Sequence, residues 1–402
     1  MDMNDADYLR EELNRANNQL VAAVQTIARL NNDNQILASE NAAAEAYERI
    51  RSSLNTIVEA DRGSITTLTL PEGITAVADY LFYKCDALDT LVIPEGVVDI
   101  GAYAFWRCQR LYNLTLPSTL RVIQENAFYQ NSVSALSIPE GVTTIGANAF
   151  GSGSLRTLTL PSTLTSIGKE AFYWCSNLIE LNGLSNTQVT EIGEGAFSRC
   201  LSLPSIELPS TIRSIGRSAF GGCRKVTSIT LPASLTTIGQ GAFDSANITT
   251  ITFPDGVTQA TGFESCTALT SITFGKNTTS IGTYAFYACT ALEALVIPTG
   301  VTKIASSAFY DCTSLETLTL PETLTTLESY ALYNCPCVGN LTLPASLTTI
   351  GNNALGRDSH GGIFQVTFLG KTVEEVKAMR NYPFGLKDTT TIICSNGTIE
   401  IQ

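Results

Sequence analysis

The sequence predicts an α+β repeat solenoid, an array of short parallel β-strands carried behind an N-terminal α-helical coiled coil. Three observations predict it. A pattern of leucines, a proline, a glycine and a phenylalanine recurs thirteen times after residue 63, at a spacing of 21 to 25 residues, most often 23. Cysteines repeat with that same period. Residues 5–45 carry a heptad of apolar side chains. Together they divide the 402 residues into 1–62, 63–362 and 363–402.

In the first segment, heptad a falls on Ala6, Leu13, Leu20, Ile27, Asn34 and Asn41, and d on Leu9, Ala16, Ala23, Leu30, Leu37 and Ala44. Every d is apolar, as the seam of a left-handed coiled coil requires. Asn34 and Asn41 weaken the seam but pin its register and its number of strands. Leu9, Leu13, Leu20, Ile27, Leu30, Asn34 and Leu37 are therefore the expected oligomerisation residues, and a homotrimer through residues 5–45 is the expected assembly. A second stripe, Tyr47, Ile50, Leu54 and Ile57/Val58, suits a helix that covers an open repeat end. An oligomeric stalk and a monomeric capping helix both stand at this point.

The repeats begin at Ile65, Leu88, Leu111, Val133, Leu155, Leu178, Leu203, Val226, Ile248, Leu269, Leu292, Leu315 and Val338. The Leu155 unit shows each position's role. Leu158 and Leu160 alternate as a short strand with one buried face. Pro161 ends the strand because it has no N–H to give a ladder. Leu164 and Ile167 form a second apolar pair. Gly168 is expected to make a corner with positive φ. Ala171-Phe172 is expected to start a helical turn that drives the ring inward, with Cys175 filling the space behind it. One such unit cannot bury its apolar face alone, so neighbours must stack. Three units depart from the pattern: an insertion at Asn182–Thr187, a short Ile248 unit, and Gly275 in place of the usual proline.

The run L-x-x-L-x-L-P, then L-x-x-I-G, A-F and C, resembles the BspA-like branch of leucine-rich repeats, named for a bacterial surface adhesin. The resemblance covers residues 63–402. It implies a leucine-rich-repeat array, no enzymatic activity, and binding at a cell surface or to a host ligand. It also extends to the tail, where Thr372–Lys377 reads as a short helix and Thr390–Ile401 as a closing hairpin about Ser395-Asn396-Gly397.

The eleven cysteines fit this frame. Cys85 and Cys108, Cys200 and Cys223, and Cys266, Cys289, Cys312 and Cys335 stand 23 residues apart, a repeat position rather than a disulfide or zinc framework. They are expected as buried thiols.

Composition excludes several function classes. The formal charge of −13, with basic residues scattered singly, argues against nucleic acid. No apolar span reaches the ~20 residues of a membrane helix, and residues 1–60 hold no apolar run of leader length. The one histidine, His360, lies in a glycine-rich loop, and no phosphate loop or metal-loop spacing appears. The expectation is no catalytic residue, no metal and no cofactor.

What remains is surface. Outward strand positions are small and hydroxylated, as in Thr157/Thr159 and Thr317/Thr319, and Thr suits any solvent-facing strand. The residue after the core phenylalanine is often aromatic: Tyr83, Trp106, Tyr129, Tyr173, Tyr287 and Tyr310, with Tyr333 after Leu332 and Trp174 adjoining. Such rings offer stacking faces to sugars and anchors to proteins. They are equally suited to packing on one another as an outer layer of core. The polar residues Ser198, Gly221, Asp244 and Glu264 interrupt the run. The expected function is recognition or adhesion toward a protein or cell-surface glycan, made multivalent by the stalk. A phage tail fibre or similar particle-borne receptor-binding protein, a surface adhesin, and an intracellular scaffold are the forms considered. Location, whether particle surface, cell surface or cytoplasm, stays open.

Overall fold

The computed structural model describes residues 63, 65–70, 73–358, 364–387 and 390–401. The heptad residues Leu9 to Leu37 and His360 lie outside them, so the coiled coil expected of residues 5–45 is not part of this description. The chain divides into two compact units between Thr187 and Gln188.

In the first unit the coils stack through two rows of parallel strands. Leu68, Leu91 and Leu114 pair in register in the strands Thr67–Thr69, Thr90–Val92 and Asn113–Thr115. Ala135–Ser137, Thr157–Thr159 and Glu180–Asn182 form a second sheet of the same kind. The other row consists of two-residue strands, from Ala76–Val77 to Ser166–Ile167, each presenting one buried apolar side chain. Alternation sends the leucines inward and leaves the hydroxyl-bearing neighbours outside.

The second unit repeats the plan with local changes. Its two-residue strands form the parallel sets Glu191–Ile192 to Thr237–Ile238 and Gln259–Ala260 to Thr349–Ile350. No strand is assigned in the main row of the Leu203 and Val226 units. In the Leu203 unit Pro204 stands at a main-row position and has no N–H to give a ladder. The unit ends in a four-stranded sheet. Asn340–Leu343, Phe364–Phe368 and Thr390–Cys394 run parallel, and Gly397–Ile401 returns antiparallel. A helix, Val373–Ala378, precedes the hairpin and begins with a Thr372–Glu375 capping box.

The Ala-Phe segment corrects an expectation. It is a run of turns, not the start of a helix. The residues two before and two after each phenylalanine adopt left-handed φ in nearly every coil, for example Tyr80 at 60° and Lys84 at 57° around Phe82. The physical reason lies between coils. Alternating the two hands aims the N–H groups of Tyr80, Phe82 and Lys84 at the carbonyls of Ala102, Ala104 and Trp106 in the next coil, at 2.8–2.9 Å. A helix would turn those groups back on itself.

Gly168 is a second correction. Its φ is not positive. It is glycine because the preceding coil runs too close: a Cβ would stand 2.6 Å from the Ala147 nitrogen. Gly275 follows the same rule, since a Cβ there would meet the Pro254 carbonyl oxygen at 2.5 Å. The Asn182–Thr187 insertion forms a 3-10 turn at Leu184–Asn186.

Phenylalanine rings form the spine of each unit. In the first, Phe82, Phe105, Phe128, Phe150 and Phe172 are fully buried and stack at 5.2 to 5.6 Å between successive centroids. In the second, Phe197, Phe220 and Phe243 continue the same habit at 5.4 and 5.6 Å. Around the short Ile248 unit the stack loosens to 6.3 Å between Phe263 and Phe286. Phe253 and Phe274 fill that space edge-on, at 81° to Phe263 and 85° to Phe286 respectively.

All eleven cysteines are free and buried, and their place in the repeat has a reason. The Cys108 thiol donates to the carbonyl of Phe82 in the preceding coil at 3.3 Å, and Cys175, Cys223, Cys266, Cys289 and Cys312 make the equivalent bond at 3.2 to 3.4 Å. The residue must be small, apolar and able to supply one donor to a buried carbonyl. Asn131, which replaces cysteine in one coil, donates from Nδ2 to the Phe128 carbonyl and accepts from Val133 N–H at 2.8 Å. Burial pushes the Cys175 and Cys223 thiols up to about 12, so they persist as unreactive thiols.

Candidate functional site

The outward rings fall into two sets, one in each unit. In the first unit Tyr83 stacks on Trp106 at 4.6 Å and 4°, and Trp106 on Tyr129 at 6.2 Å. Two cations lie over this row: Lys84 Nζ stands 5.3 Å from the Tyr83 centroid, and the Arg107 guanidinium 5.1 Å from that of Trp106. Tyr173 and Trp174 do not continue the stack. They meet edge to face at 5.9 Å, with Trp174 43% exposed at a left-handed backbone position. In the second unit Tyr287 stacks on Tyr310 at 5.2 Å, and Tyr310 on Tyr333 at 4.9 Å. The Tyr333 hydroxyl donates to Asp358 at 2.5 Å, and that bond raises the phenol to about 12.

A second row of rings escaped the sequence reading. It lies two residues before the phenylalanine, at Tyr80, Tyr103, Tyr284 and Tyr330, all at positive φ. Tyr80 and Tyr103 stack at 4.8 Å and 4°. The signal was the same repeat period read from another position. These four, with the eight expected rings, make the aromatic edge two residues wide where both rows are filled.

In the second unit the two rows border a shallow, open hollow of about 600 Å³. Tyr284, Ser307 and Tyr330 form one side, and Glu264, Tyr287 and Tyr310 the other, with Asp244 at one end. In the sequence Glu264 shows only as a gap in the aromatic run. It is 8% exposed, and both carboxylate oxygens lie 2.9 Å from the Gly241 N–H. Burial raises its carboxyl to about 7, against the lowering effect of hydrogen bonds from backbone N–H groups; Asp244 adds to the rise and Arg217 opposes it.

Among the described residues no group of three or more His, Cys, Asp or Glu could hold a metal ion, and no helix is long and apolar enough to cross a membrane. The arrangement offers ring faces, hydroxyls and carboxylates to a ligand.

Stacked coils, short parallel strands with one buried face, and a leucine-phenylalanine interior define a leucine-rich-repeat β-solenoid. The family model for the BspA type leucine rich repeat region matches in six copies, over residues 60–179, 143–262 and 259–361, and the chain belongs to that family. Two solved structures are similar in fold. A leucine-rich repeat protein from Bacteroides ovatus is 22% identical with a TM-score of 0.55, over 82% of this chain and 91% of its own. One from Eubacterium ventriosum is 21% identical with a TM-score of 0.54, over 78% and 87% respectively. No curated protein matches this chain.

Proposed function

We propose that this chain is a non-enzymatic recognition or adhesion protein whose aromatic edges bind a protein or a cell-surface glycan. The observation that carries the reading is the solvent-facing side of the Ala-Phe turns. Inside, the turns carry phenylalanine, cysteine and leucine. Outside, the same turns hold rings in rows at a fixed spacing, a feature the interior does not require. The residues proposed to touch ligand are Tyr83, Trp106, Tyr129, Tyr173, Trp174, Tyr287, Tyr310 and Tyr333, joined now by Tyr80, Tyr103, Tyr284 and Tyr330. Residues 1–62 serve as the stalk, 63–362 as the binding array and 363–402 as its closing segment. A trimer through residues 5–45 makes weak sites act together. A receptor-binding protein carried on a particle, such as a tail fibre, is one form of this role.

The ligand test is a panel of arrayed glycans and surface proteins probed with the full chain. Replacing Trp106 and Trp174 together by alanine is expected to weaken a ligand held at the first unit by about tenfold or more, as loss of ring anchors at an interface does, while the thermal transition stays in place. A ligand whose affinity ignores this pair and the second-unit tyrosines alike removes the edge as the binding surface. Assembly is tested by sedimentation. A trimer is expected, and a species of 43.0 kDa, the mass of a single chain, removes the stalk.

A second reading, an intracellular scaffold for protein partners, is favoured by one observation: eleven cysteines held as thiols, a state natural to a reducing compartment. Recovery of the protein from intact cell or particle surfaces, against recovery only from lysate, separates the two.

A further inference from the structure

The hollow in the second unit says more about its occupant, and this step rests on the recognition reading above. Two features shape it. In the row before the phenylalanines, Ser307 is a small buried residue between two coils that carry Tyr284 and Tyr330. Where neighbouring coils both hold a ring in this row, as Tyr80 and Tyr103 do, the rings stack at 4.8 Å. Ser307 therefore leaves the ring position between Tyr284 and Tyr330 unfilled, while Tyr330 leans toward Tyr310 at 6.3 Å and 49°. In the row after the phenylalanines, Tyr310 covers one side of Tyr287 at 5.2 Å. The preceding coil carries Glu264 in that row instead of a ring, so the stack ends at Tyr287.

The charges around this gap are all of one sign. Asp244 and Glu264 line it, and no lysine or arginine does. Arg217 bears on Glu264 from outside the lining, and Asp244 opposes it. The aromatic row of the first unit is different, for there Lys84 and Arg107 already lie over the rings. The second unit thus has ring faces and carboxylates without the cation that both favour.

We propose that this hollow seats an arginine side chain of a protein partner, with the planar guanidinium between Tyr284 and Tyr330, against Tyr287, and facing the carboxylates of Glu264 and Asp244. A guanidinium is flat enough for the gap, stacks on aromatic faces, and matches a carboxylate with paired N–H donors. A sugar ring would also stack, but it brings no charge to offset two carboxylates.

The test uses the full chain labelled with 3-fluorotyrosine and observed by fluorine NMR, with Nα-acetyl-arginine methylamide as probe and N-acetylglucosamine as the neutral comparison. Saturable shifts at Tyr284, Tyr287 and Tyr330 are expected with the arginine probe. Affinity should fall about tenfold between about pH 8 and about pH 5.5, as Glu264 takes up a proton. Glu264→Gln should lower affinity at the higher pH and flatten that dependence. Arg110→Ala, at an exposed position of the first unit, should leave both unchanged. Failure of the probe to move these three resonances overturns the proposal, as does a sugar that moves them more than arginine at equal concentration. A probe that binds equally well to Glu264→Gln at both pH values also overturns it. None of these outcomes bears on whether the chain binds a ligand in the array experiment, so the two readings fail separately.

Discussion

Phe286→Ala is expected to lower the unfolding free energy by about 3–5 kcal/mol, the cost of deleting a large side chain where the surroundings cannot collapse. Phe286 is fully buried, stacked on Phe309 at 5.5 Å, with Phe253 and Phe274 edge-on at 6.2 and 6.3 Å. Four rings would lose a neighbour at once. Phe263 stands 6.3 Å away, with Phe253 and Phe274 already filling the space beside these rings, so no nearby side chain is left to close over the lost one. Phe286→Leu should cost far less, about 1 kcal/mol, because leucine keeps most of the volume. The chain itself supports this, for Leu332 and Leu355 hold the phenylalanine position in the last coils and are buried there. Denaturant unfolding of the two variants checks the pair. If both lose the same amount, the volume that leucine retains does not replace the ring, and the expectation built on apolar volume is overturned.

The comparison of sequence and structure turns on which information is local. Leucine alternation, the strand-ending proline and the cysteine period belong to single units, and each could be assigned a place from one repeat. The helix at Val373–Ala378 carries its capping box within four residues, and the hairpin carries Ser395-Asn396-Gly397. The Ala-Phe turn is different. Its dihedral angles are set by carbonyls 22 residues away, such as Ala104 for Phe82, and a single coil taken alone shows none of them. Gly168 belongs with the turn, because the approach of Ala147 that demands a glycine there is likewise a matter between coils.

The candidate site divides in the same way. The row from Tyr83 to Tyr333 was legible because it follows a fixed landmark, the core phenylalanine. Tyr80, Tyr103, Tyr284 and Tyr330 were not, for they occupy left-handed positions where glycine or asparagine is the ordinary expectation. Glu264 was visible only as an interruption. Its significance depends on the Gly241 N–H in the preceding coil and on the hollow beside it.

Glu264 therefore supplies the second large effect. Its carboxyl is raised to about 7 in the fold, whereas an unfolded glutamate titrates near its model value of 4.5. The folded chain holds this proton more tightly than the unfolded chain does. Its contribution to stability is thus fully present below about pH 4.5, declines as pH rises, and is lost once pH passes about 7. The corresponding penalty at alkaline pH approaches about 3 kcal/mol. Glu264→Gln keeps the shape and an oxygen for the Gly241 N–H while removing the charge. The variant should match the parent near pH 4.5 and exceed it by up to about 3 kcal/mol above about pH 8. Thermal or denaturant unfolding of both proteins across this range gives the difference directly, and contributions from the other carboxylates cancel. Curves that stay parallel would show an ordinary carboxylate with free access to water, ionised across the whole range, and the predicted fall in arginine affinity between about pH 8 and about pH 5.5 would have no source. A widening gap would instead mean that the fold retains a residue costly to itself at neutral pH, a burden best explained by an occupant that restores the balance.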